Sequence, residues 1–162
     1  MQASRILPDL QSSLVCEEVR QEATGNFFLI GVINVIRVPQ LPVTAFRLAV
    51  FNRWTAGVGD FTETVRLIAP DQTTEIRKAE TKFQLPDPAM HATNVAFFAQ
   101  VEFKAAGHYF IEVLVDDVMK IRYPLTVVHQ PPPQGQPGQP GQPPAQAPQQ
   151  PDGPGGSEPP SA

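Results

Sequence analysis

The sequence predicts an all-β, antiparallel β-sandwich of about eight strands, followed by a disordered tail rich in proline, glutamine and glycine. Three observations point there. Between Phe27 and Val127 apolar residues recur two apart, the period of a strand with one buried and one wet face. Turn-forming clusters interrupt this alternation at regular spacing. After Val128 the apolar residues nearly stop.

Residues 1–10 read as a flexible arm, which places the domain at 11–128 and the tail at 129–162. LVCEEVR, from Leu14 to Arg20, fits a strand through Val15 and Val19 and a helix through Leu10, Leu14 and Glu18. A strand is preferred because Thr24-Gly25-Asn26 makes a turn into an obvious strand. That next run, Phe27 to Val38, is apolar on both faces and reads as a central strand, with Gly31 marking a bulge or close backbone approach. Pro39 and Pro42 break it. Val43 to Trp54 sets Phe46, Leu48 and Val50 against Arg47 and Arg53, and Phe61 to Ala69 sets Val65 and Leu67 against Thr64 and Arg66.

Thr74 to Leu85 carries Glu75, Arg77, Lys78, Glu80 and Lys82, a charge load typical of a sheet edge. In the next strand Val95, Phe97, Ala99, Val101 and Phe103 share the inward face. Tyr109, Ile111, Val113 and Val115 then face Met119, Ile121, Tyr123, Leu125 and Val127 across a hairpin closed at Asp116-Asp117. The tail cannot bury enough surface to offset the entropy of ordering, and it reads as a solvated linker.

The chain has 162 residues, a net charge of -4 and one cysteine. One domain is expected, without a disulfide within the chain and without a basic footprint for nucleic acid. No apolar stretch approaches a membrane span or a leader, so a cytoplasmic location and no membrane contact are expected. No cofactor is expected.

If each strand crosses the sandwich once, one end collects Thr24–Asn26, Thr55–Asp60, Pro86–Asn94 and Asp116–Asp117. Asp60, Asp87, His91, Asn94, Asp116 and Asp117 are therefore the candidate residues for a small ligand or Ca²⁺, which takes oxygen donors in flexible geometry. The Asp-x-Asp-x-Asp spacing of a calcium loop is missing, and turn formation explains the same aspartates. His91 with Asp87 makes a second candidate, a general base and its orienting partner in a hydrolase. No serine or cysteine stands in a nucleophile motif, and Cys16 reads as a buried small hydrophobe. Trp54 shares a face with Leu48 and Val50 and reads as a core cap, the alternative being an exposed anchor for a partner.

Ala105-Ala106-Gly107-His108-Tyr109 resembles the tyrosine corner of immunoglobulin-like sandwiches, with Ala105 where aspartate is usual and Ile111 in place of the second cysteine. The resemblance implies immunoglobulin-like topology, a turn at Gly107, and a Tyr109 hydroxyl bonded to the backbone upstream. More widely, LVCEEVRQEATGNFFLIGV and EFKAAGHYFIEVLVDDV are similar to a family of bacterial proteins of unknown function, over most of residues 14–128. That similarity implies a fold and a bacterial source and transfers no functional residue. The expected function is a non-enzymatic protein-interaction or assembly module, with an unknown protein partner or a homodimer formed through a sheet edge.

Overall fold

The computed structural model describes residues 5–133, apart from the Phe46 side chain. These residues form nine strands and no helix: β1 (Asp9–Gln21), β2 (Phe27–Val32), β3 (Val35–Val38), β4 (Val43–Thr55), β5 (Gly59–Ile68), β6 (Glu75–Leu85), β7 (His91–Phe103), β8 (Gly107–Val115) and β9 (Val118–His129). They build a four-stranded sheet, β2-β1-β4-β7, and a five-stranded sheet, β3-β9-β8-β5-β6. All pairings are antiparallel except β3 on β9, which is parallel. The disordered-tail expectation lies outside the described residues from 134 onward.

Period-two burial makes this sandwich. Leu48, Val50 and Trp54 of β4 meet Val65 and Leu67 of β5, Ile111 and Val113 of β8, and Leu125 and Val127 of β9 in one buried cluster. At the β8–β9 turn, Asp116 and Asp117 have φ of 44° and 65°, the left-handed pair that a two-residue hairpin requires. The corner forms as its motif implies: the Tyr109 hydroxyl donates to the Ala105 carbonyl at 2.9 Å, and the ring meets Phe103 edge-on at 4.9 Å. The charged strand β6 does lie at a sheet edge.

Four expectations need correction. Phe27 to Val38 is not one central strand but two edge strands on different sheets. Gly31 sits at φ 63°, where an added Cβ would lie 2.7 Å from the Glu17 carboxyl, and the Ile33 N–H donates to Val15 at 2.8 Å as the chain crosses between sheets. In β7 the inward residues are Asn94, Ala96 and Phe98, then Val101 and Phe103. Gln100, at φ 50°, shifts the alternation by one, so Phe97 is 49% exposed under the Arg47 guanidinium. In β9 the pairing slips between Val113 and Leu114, leaving Lys120 unpaired and Met119 and Ile121 exposed. Last, the N-terminal arm is tied down from Arg5: Ile6 and Val58 exchange backbone hydrogen bonds of 3.0 and 2.9 Å, and β1 begins at Asp9.

The strand reading of Leu14 to Arg20 holds. However, β1 pairs with β4 only as far as Cys16, and beyond it only with β2. The β1–β2 hairpin therefore covers the outer face of the four-stranded sheet. There Val19, Phe27 and Leu29 pack with Cys16, Ala49, Phe51 and Val95 in a second apolar cluster, on the face of β4 opposite Leu48 and Val50.

Candidate functional site

The connections β4–β5, β6–β7 and β8–β9 share one end of the sandwich, because Thr55 lies opposite His91, Gly59 opposite Leu85 and Glu63 opposite Val115. Asp60 and Asp116 line an open depression there with Arg5, Phe61, Lys82 and Phe83. Arg5 bridges the two residues: it donates to the Asp60 backbone carbonyl at 2.8 and 3.2 Å, pairs with the Asp116 carboxylate, and covers the Phe61 ring at 4.8 Å. The other Asp116 oxygen accepts the Thr62 N–H at 2.9 Å. Asp87 accepts the Ala89 N–H at 2.8 Å, which makes it a turn former. His91 and Asp117 are exposed. Thr24–Asn26 does not join this group; Gly25 and Asn26 lie beside Phe51, Arg53 and Thr93 on the outer face. Among the described residues no three His, Cys, Asp or Glu side chains are placed to hold a metal ion.

Asn94 and Trp54 instead point into the interior and meet a residue that the sequence reading passed over. Glu63, on β5, is 1% exposed, and its Oε2 accepts from Trp54 Nε1 and, at 3.2 Å, from Asn94 Nδ2. Its Oε1 and the Asn52 amide are buried without a well-formed protein partner. Burial pushes the Glu63 carboxyl up, against the pull of the Trp54, Asn52 and Asn94 donors. Trp54 is wholly buried and stacks on Phe83 at 5.6 Å, so its ring offers no surface to a partner. A second polar tie joins Ser13 of β1 to the Tyr123 hydroxyl of β9 at 2.9 Å, and burial pushes that phenol up to about 12.

These groups link the two sheets; Trp54, Glu63 and Asn94 are buried, whereas Ser13 and Tyr123 are half-buried. Burial also raises the Cys16 thiol, which works against thiolate chemistry. The signal for Glu63 was present: Phe61, Glu63, Val65 and Leu67 alternate on one face.

The accessible feature that stands out is β2. Its sequence, FFLIGV, has no charge, and one of its edges is unpaired. Phe28, Ile30 and Val32 are 54%, 39% and 46% exposed. Across the strand pair, Phe28 and Ile30 lie opposite Arg20 and Glu18 of β1, which pair with each other at 3.0 Å.

A model of a family of unknown function, DUF6941, matches residues 11–128. The chain belongs to that family. The DUF6941 span reaches from β1 into β9, so β2, Trp54, Glu63 and the Tyr109 corner fall inside it and Arg5 falls ahead of it. No curated protein matches the chain. Among the described residues no helix is long and apolar enough to cross a membrane.

Proposed function

We propose that this DUF6941 chain is a non-enzymatic, cytoplasmic protein-interaction module of immunoglobulin-like topology that binds its partner through β2. The topology is supported by β8, which carries the corner tyrosine between β5 and β9 as strand F lies between C and G, while β1-β4-β7 follows A-B-E.

The observation that carries the function is the contrast among the four sheet edges. Unpaired edges invite strand addition, and proteins blunt them with charge, brevity or cover. β6 bears five charged residues, and β3 has only four residues, one of them Arg37. β7 runs beside β6, whose Arg77 donates to the Gln100 carbonyl at 2.8 Å. β2 has none of these protections. The loop end supports catalysis poorly, since Asp87 is engaged in its turn and the buried Glu63 carboxyl has no path to substrate.

A photo-crosslinking residue tests the reading in cells. Placed at Phe28, it should capture a discrete protein species; placed at Lys82, on the charged edge, it should capture none. Equal yields at both positions, or capture at Lys82 alone, would count against β2 as the binding edge.

A further inference from the structure

We infer that the strand received by β2 is the β2 of a second copy of this chain, paired antiparallel about a two-fold axis at Leu29. The inference rests on the interaction reading above and adds the partner and the register. An antiparallel pair centred on Leu29 sets Phe28 opposite the partner's Ile30, an aromatic facing a β-branched residue, which is a favourable cross-strand combination. Phe27 falls opposite Gly31, whose bare backbone the Glu17 side chain already covers.

Electrostatics favours self-pairing at this edge and opposes it at β6. β2 contributes no charge, and the nearest charges on its outward face, Arg20 and Glu18, already neutralise each other. A self-paired β6 would bring its lysines and glutamates into a seam that they now protect from pairing. Two-fold pairing is also closed: it consumes both free edges and stops at a dimer, so it does not propagate into fibres.

The seam is small. Phe28, Ile30 and Val32 together offer on the order of a few hundred Å² per copy, below the ~800 Å² per partner of a standard stable interface. The dimer is accordingly concentration-dependent.

Light scattering after size exclusion, on the full chain from low micromolar to millimolar concentration, should show the weight-average mass rising from one copy toward two. Ile30→Lys should weaken dimerisation at least tenfold while melting temperature stays unchanged, and Lys82→Ala should leave it unaltered. Under mild oxidation, a mixture of a Phe28→Cys chain and an Ile30→Cys chain should give more disulfide-linked dimer than either alone, because the register places those two positions opposite each other. A chain that stays monomeric to millimolar concentration, or equal crosslinking by each variant alone, overturns the inference. If the chain is monomeric but the Phe28 photo-crosslinker captures a different protein, the second-copy partner is wrong and binding through β2 stands. If Phe28 captures nothing, both are wrong.

Discussion

Trp54→Ala should bring this fold close to its unfolding limit. Trp54 is the largest of the fully buried side chains, and truncating a buried tryptophan costs about 3–5 kcal/mol in lost contacts and cavity. The indole N–H also serves the buried Glu63 carboxyl, and losing a donor to a buried acceptor adds about 1–3 kcal/mol. Set against a total stability of about 5–15 kcal/mol for a domain, the sum removes much or all of it. Trp54→Phe separates the two parts. It keeps a ring over Phe83 and loses only the donor, so it should cost about 1–3 kcal/mol beyond the small volume change. Urea unfolding at fixed pH measures both variants. A Trp54→Ala protein within about 1 kcal/mol of the parent would show that the indole is not the anchor its burial implies.

Glu63 carries the second large effect and gives it a pH signature. Glu63→Ala leaves the Trp54 N–H and the Asn94 amide buried without their acceptor, at about 1–3 kcal/mol each. The sign of the pH dependence follows from burial. The folded-state pKa of Glu63 is raised above its ordinary value of 4.5, so between the two values the native chain holds a proton that the unfolded chain has released. Stability then falls as pH rises, because the slope follows protons bound unfolded minus protons bound native, here negative. The contribution is complete below pH 4.5 and is lost as pH climbs through the raised native value.

Glu63→Gln has no proton to lose and should flatten this part of the curve. Asp71, held at about 2 chiefly by the Thr74 hydroxyl, gives the opposite slope at acid pH, but it does so in both proteins and cancels in the difference. Urea midpoints from pH 4 to 8 should therefore decline more steeply in the parent than in Glu63→Gln. Parallel curves would mean that Glu63 does not hold its proton in the fold.

The sandwich was legible because burial alternates over long runs, and the β8–β9 hairpin and the Tyr109 corner were legible because their turns demand particular residues. What escaped was set by single backbone positions. Gln100 adopts a positive φ that glutamine does not advertise, and that one residue turned Phe97 outward and Asn94 inward. With the β7 face misread, Asn94 looked like a loop ligand when it is a buried donor to Glu63. Gly31 was read as a bulge or close backbone approach, yet nothing local says that the chain changes sheets two residues later, which rests on the Ile33 bond to Val15. Nor does composition separate a buried apolar strand from an open edge: FFLIGV reads as the middle of a sheet and lies at its margin. Arg5 and the distant Asp116 meet only once the fold is made, so no spacing rule would have joined them.

What matters most is whether β2 is the edge that this sandwich uses. Hydrogen exchange on the full chain, free and in its photo-crosslinked complex, reads that directly. It should show slowed exchange at the amides of Phe27–Val32 on complex formation, with β6 and the loop end around Asp60 and Asp116 unchanged. Protection appearing at β6 or at that loop end, with β2 exchanging at the same rate in both states, would contradict it.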